Sequence, residues 1–127
     1  MTTVFFDRTC GTSIPHALKL LGIDAEAHQD HFHPNTPDDV WLEEVGRRGW
    51  IVVTYDNRIR FNLAEREALI SHGVGCFMLT SGNRKKWEQM RILAKAWDRI
   101  QAVIATTPRP FIQIVHPDGS IKGLYPP

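Results

Sequence analysis

Cysteine is scarce in this chain: Cys10 and Cys76 are the only two, 66 residues apart and in no CxxC pair. That excludes a disulfide-stapled scaffold and a thiolate zinc site, and makes a reducing cytoplasm the expected setting. Long apolar runs are missing too. The longest clean one, Val74 to Leu79, has strand length and falls far short of the roughly 18 residues that span a bilayer, so no membrane association is expected. The apolar start MTTVFFDR has no basic segment before it and reaches Asp7 and Arg8 too early for a secretory signal. With no internal repeat, low-complexity tract or long linker, the 127 residues read as one domain, 1–127. An excess of one charge is also lacking: 15 basic and 14 acidic side chains leave +1, which taken alone argues against a strongly cationic nucleic-acid binder. The sum hides a division. Residues 1–46 carry 2 basic and 8 acidic side chains, whereas residues 47–127 carry 13 and 6.

What is present is an alternation of strand and helix signals, which predicts an α/β fold with a mainly parallel sheet and helices on its faces. Thr3 to Phe6 reads as a short strand stopping at Asp7. Ser13 and Pro15 open a helix to Leu21 that Gly22 closes. Ile23 to His28 alternates weakly, as an exposed strand would, and a polar loop, QDHFHPNT, follows. Thr36 and Pro37 start a second helix, with Asp39 in the capping-box position and Gly46 or Gly49 at its end. Trp50 to Thr54, apolar on both faces, predicts a central strand. Asn62 and Glu65 form a capping-box pair for a helix over 63–72, closed by Gly73 before the buried strand Val74 to Leu79. The longest helix spans 84–105, and Phe111 to Val115 and Ile121 to Leu124 flank PDGS as a peripheral antiparallel hairpin ending in an LYPP tail.

Three acids occupy informative places: Asp7 ends the first strand, Asp56 lies just beyond the central one, and Asp38 falls in the first turn of a helix. In an open parallel sheet, ligands gather beyond the carboxyl ends of the strands at the switch point. Carboxylates sharing a small volume repel unless a cation neutralises them or a proton is shared. Hard oxygen donors favour Mg²⁺ or Mn²⁺, and such a site suits phosphoryl chemistry. The same acids also suit a turn former and a helix-dipole partner, and both readings stay open on spacing alone. Glu44 lies six residues after Asp38, beyond the one-turn spacing that would join them, and Glu43 reads as solvent-facing; both remain spare candidates.

The basic run Arg84, Lys85, Lys86, continued by Arg91, Lys95 and Arg99, follows a strand end, where a phosphate backbone could lie across it; a solvated helix face is the plainer reading. His28, His31 and His33 lack a fourth ligand at zinc spacing and read as loop or surface residues, with Phe32 anchoring their loop to the core. Trp41, Trp50, Trp87 and Trp97 fall on apolar periodicities and are assigned to core packing. Nothing pairs Cys10 with a base.

The strings VFFDRTCG, HFHPNTPDDVW and GWIVVTYDNRIR, with the later GVGCFMLT and RPFIQIV, resemble the PIN-like domain family related to VapC-type toxins over the whole chain. The resemblance implies a three-layer α/β/α sandwich completed here by the C-terminal β-hairpin, and a Mg²⁺- or Mn²⁺-dependent endoribonuclease cutting single-stranded RNA. It further implies a toxin with a cognate antitoxin protein and a homodimer. Carried over by position, the catalytic and metal-holding acids are Asp7, Asp38 and Asp56, with Asp39 as the substitute for Asp38 and Thr54 orienting the Asp56 carboxylate. Arg8, Arg58, Arg60, Arg84, Lys85 and Lys86 would meet substrate phosphates. The family's fourth acid near the end of the fourth strand has no counterpart in LTSGNRKK. That makes a catalytically inactive module binding RNA or a protein partner the alternative. A phosphatase with Asp7 as nucleophile is weaker, because FFDRT lacks a second Asp two residues on.

Overall fold

The computed structural model describes residues 2–127. Its elements run β1 (Val4–Phe6), α1 (Ser13–Leu20), β2 (Ala25–Ala27), α2 (Asp38–Arg48), β3 (Ile51–Thr54), the one-turn α3 (Arg58–Phe61), α4 (Leu63–Ser71), β4 (Gly75–Leu79), α5 (Lys86–Thr106), β5 (Phe111–Val115) and β6 (Ile121–Tyr125). Short 3-10 turns, Arg8–Cys10 and His28–Asp30, follow β1 and β2. One sheet carries the strands in the order β2-β1-β3-β4-β5-β6. The first five are parallel and β6 returns antiparallel to β5.

Alternate residues of a strand face opposite sides, so each strand feeds two cores. On one face Val4, Phe6, Val53, Phe77 and Phe111 meet Ile14 and Leu18 of α1 and Leu93, Ala96 and Ile100 of α5. On the other, Phe5, Val52, Met78 and Ile112 meet Trp41, Leu42 and Val45 of α2, Ile59 of α3 and Leu69 of α4. The result is the three-layer α/β/α arrangement with a C-terminal hairpin. Gly22, Gly49 and Gly73, all at positive φ, stop α1, α2 and α4 as expected.

One crossover breaks the usual rule. The chain steps from β1 to β2 in one direction along the sheet and from β4 to β5 in the other, yet α1 and α5 pack on the same face. The β4–α5–β5 unit therefore has the hand opposite to the other three crossovers, which share one hand between them. Parallel βαβ units are right-handed in about 98% of cases.

Several local expectations are corrected. The second strand is buried at Ala25 and Ala27 rather than exposed, and His28 beyond it is buried as well. The hairpin is not peripheral: β5 pairs in parallel with β4 and its apolar residues are in the core. Leu124 and Tyr125 belong to β6 and pack against the second core, so the tail is shorter than expected. Trp87 is 72% exposed, because it sits in the first turn of α5, beyond the cover of the sheet. No side chain caps α2, whose flanking residue is Pro37. Among the described residues no helix is long and apolar enough to cross a membrane.

Candidate functional site

The order β2-β1-β3 reverses the chain's direction across the sheet between β1 and β3, and at that switch point the carboxyl ends of neighbouring strands splay apart. A cleft opens there, lined by Asp7, Asp38, Asp56 and Glu65 together with Trp41, Leu42, Val52, Ile59 and Leu69. The expected acids thus reach one place. They do not form a cage: among the described residues no three His, Cys, Asp or Glu side chains converge closely enough to hold an ion.

Asp7 is the buried member. Its backbone N–H bonds the Val53 carbonyl at 3.0 Å, which keeps the chain in line with β3 for one residue past β1. Its Oδ1 accepts from the Thr9 backbone N–H at 3.0 Å and from the Thr9 hydroxyl, and its Oδ2 accepts from the Thr54 hydroxyl at 2.5 Å. Burial pushes this carboxyl above its ordinary value even against those donors. The Cys10 thiol lies 3.7 Å from Asp7 Oδ1, and burial followed by the nearby carboxylate pushes it well up, which leaves it an inert thiol.

Thr54 was expected to orient the Asp56 carboxylate. Its hydroxyl goes instead to Asp7, and it accepts the Asp56 backbone N–H at 3.0 Å. Phe6 pairs with Val53 in the parallel register, which sets Thr54 beside Asp7, while Asp56 has already left the strand. The Asp56 carboxylate is gripped by Arg58. Nε reaches Oδ1 at 3.0 Å and Oδ2 at 3.1 Å, Nη2 reaches Oδ2 at 2.7 Å, and the Arg58 backbone N–H reaches Oδ1 at 3.0 Å. That grip holds Asp56 below the usual carboxylate range. Arg58 also approaches Glu65 at 3.8 Å. Arg66 staples the short α3 turn from behind, donating from Nε to the Ile59 carbonyl at 2.7 Å and from Nη2 to that of Arg60.

Asp38 opens α2 and accepts from Trp41 Nε1 at 3.0 Å, one turn on. Asp39, the substitute, points elsewhere, towards His72 at 3.4 Å. Arg8 lines the cleft and donates to the Pro34 carbonyl, tying down the loop before α2. Arg60 does not line it: its guanidinium lies 5.6 Å over the exposed Phe61 ring. Arg84, Lys85 and Lys86 do not line it either. Lys86 donates to the Cys10 carbonyl at 2.9 Å from the α1–α5 side of the sheet, and Arg84 pairs with Glu88 at 3.5 Å. A second groove beside α5 is lined by Arg84, Glu88, Arg91, Ile92, Lys95 and Pro117. The basic run therefore approaches the sheet edge from behind the cleft.

Sequence reasoning missed three contributors. Glu65 matched a capping pattern, but Asn62 caps α4 alone, accepting from the Ala64 N–H at 2.9 Å, and Glu65 lines the cleft. Thr9 carried no signal beyond its place beside Asp7. His28 is 2% exposed, wedged between Phe32 and Trp41 with ring centroids 5.5 and 5.6 Å away, and lines the cleft with Nδ1 unpartnered.

The family model for the PIN like domain matches residues 2–81, which carry β1 to β4 and every acid of the cleft. The expected likeness across the whole chain is thus established for this part, and α5 with the hairpin lies beyond it. No curated protein and no solved structure matches the chain.

Proposed function

The chain belongs to the PIN like domain family, and from that premise we propose that it is a metal-dependent endoribonuclease that hydrolyses phosphodiester bonds in single-stranded RNA. One observation carries this reading: Asp7, Asp38, Asp56 and Glu65 line a single cleft at the β1/β3 switch point. Their donor set is all carboxylate oxygen, which suits Mg²⁺ or Mn²⁺. The buried Asp7, driven upward by desolvation, is a group whose ionised form a neighbouring cation would favour. These four residues would supply the ligands, once their side chains draw together from the open arrangement of the free protein. Once bound, the ion supplies an activated water and charge neutralisation at the phosphorus oxygens.

The chain's own residues do the positioning. Thr9 and Thr54 fix the Asp7 carboxylate from two sides, and Trp41 fixes Asp38. Arg8 and Arg58 stand at the cleft as donors for a phosphate. Arg84, Lys85 and Lys86 would meet flanking phosphates from the α5 side, adding affinity without sequence preference. A toxin role in the cytoplasm, with an antitoxin partner and a homodimeric state, extends the same proposal.

The test compares wild-type protein with Asp7→Asn and Asp56→Asn, each shown folded by circular dichroism, on single-stranded RNA with Mg²⁺ or chelator. Cleavage should require the ion and fall by at least about a hundredfold in both variants. Variants that cleave like wild type refute the assignment. A second reading, a non-catalytic module that binds RNA or a protein partner, is favoured by the Arg58 grip on Asp56. It predicts RNA binding indifferent to chelator and no metal-dependent cleavage.

A further inference from the structure

Arg58 and a divalent cation cannot use Asp56 in the same way. The guanidinium and the Arg58 backbone N–H take lone pairs on both Asp56 oxygens, at 2.7–3.1 Å. The same guanidinium lies 3.8 Å from Glu65, so one side chain balances two of the four cleft acids. We propose that Arg58 is an exchangeable counter-ion that closes Asp56 in the free protein and transfers to a phosphate of the incoming strand, so that RNA and the divalent ion bind cooperatively. The proposal rests on the metal-dependent reading of the cleft and adds to it the order and coupling of binding.

Three features make the exchange possible. The Arg58 side chain is 66% exposed and belongs to a single helical turn in which only Ile59 is buried, so it can swing without disturbing the core. A planar guanidinium pairs with phosphate oxygens in the same two-pronged geometry it uses on a carboxylate, so leaving Asp56 for a phosphate replaces one charge-assisted pair by another. The backbone N–H of Arg58 stays on Asp56 Oδ1 through the exchange and keeps the carboxylate aimed while Oδ2 is freed. Coupling of this kind is reciprocal: whatever factor the strand adds to ion affinity, the ion adds to strand affinity.

Mn²⁺ binding by calorimetry reads this directly, without relying on cleavage. The wild-type protein and Arg58→Gln, both checked by circular dichroism, are titrated alone and with a phosphorothioate oligoribonucleotide. Wild type should bind Mn²⁺ about tenfold more tightly with the oligonucleotide, the effect of one charge-assisted pair at a partly exposed site. Arg58→Gln should already bind Mn²⁺ about tenfold more tightly on its own, with less than about a twofold further gain. Arg58→Lys, which keeps the charge but not the fork, should fall between them. Equal Mn²⁺ affinities in wild type and Arg58→Gln, with equal response to the oligonucleotide, overturn the exchange and leave the metal reading standing. Failure of either protein to take Mn²⁺ under any condition overturns the metal reading and the exchange with it.

Discussion

Thr54→Val tests whether the buried pair at the head of the site is built as described. Valine keeps the shape and the strand preference of threonine and removes only the hydroxyl. That hydroxyl is buried, donates to Asp7 Oδ2 at 2.5 Å and accepts the Asp56 N–H at 3.0 Å. Thr9 keeps its own two bonds to Asp7 Oδ1, so the carboxylate loses one donor and not its place. A hydrogen bond to a charged group contributes roughly 1.5–3 kcal/mol, and about 2 kcal/mol is expected here wherever Asp7 is ionised. The cost should depend on pH in a fixed direction. Burial raises the folded pKa of Asp7 above 3.8, so its protonation favours the folded state fully below 3.8, and that advantage is lost as pH rises through the folded value. Removing the Thr54 donor raises the folded value further. The variant's deficit is therefore largest above the titration and shrinks to about 1 kcal/mol below it, where the bond is neutral. Urea unfolding above and below the Asp7 titration measures both: with a slope of about 2 kcal/mol per molar, the midpoint should drop by roughly 1 M above it and by about half that below it. An unchanged midpoint, or the same drop at both pH values, refutes a charge-assisted bond between Thr54 and an ionised Asp7.

Two further outcomes are expected. His28→Leu removes a buried imidazole with an unpartnered Nδ1, so the variant should be more stable by about 1 kcal/mol at neutral pH while the cleft changes. Burial lowers the His28 pKa below 6.5, so wild type should lose stability as pH falls through that lowered value, and thermal melting of the variant should lack this loss; an identical acid profile would count against the packing described. Gly46→Ala should destabilise by about 2 kcal/mol despite alanine's better helix propensity, since its Cβ would lie 2.3 Å from the His72 carbonyl oxygen and push α2 off α4. A melting temperature at or above wild type would show that the two helices part without cost.

Much of this was legible because it rests on local chemistry. Asp7 and Asp56 terminate strands whose apolar run ends abruptly, and an acid at such an end reaches the carboxyl edge whatever the rest of the chain does. Gly22, Gly49 and Gly73 marked helix ends because positive φ excludes most side chains. Non-local choices were not legible. The direction of the Thr54 hydroxyl depends on β1 being its neighbour, and the pairing of β5 with β4 depends on where α5 crosses. Glu65 looked like a cap because spacing cannot say which way a first-turn side chain turns. His28 looked like a surface residue because its burial comes from Phe32 and Trp41, which arrive from the following loop and helix. Trp87 fitted an apolar stripe, but a stripe continues in sequence past the point where the sheet beneath it stops.

The reversed crossover bears on how the chain assembles. When residues up to 81 have formed, α2, α3 and α4 can already cover one face of β1, β3 and β4. The opposite face then has only α1; Val53, Phe77 and Leu79 wait for Leu93, Ala96 and Ile100, which come from α5. An α5 of the usual hand would have gone to the other face and left these residues bare. The segment that carries every cleft acid leaves one sheet face incompletely covered without α5. Its two-sided packing is completed late by a helix that contributes no carboxylate to the cleft, so a chain halted near residue 81 would hold the chemical groups and expose an apolar sheet face prone to aggregation.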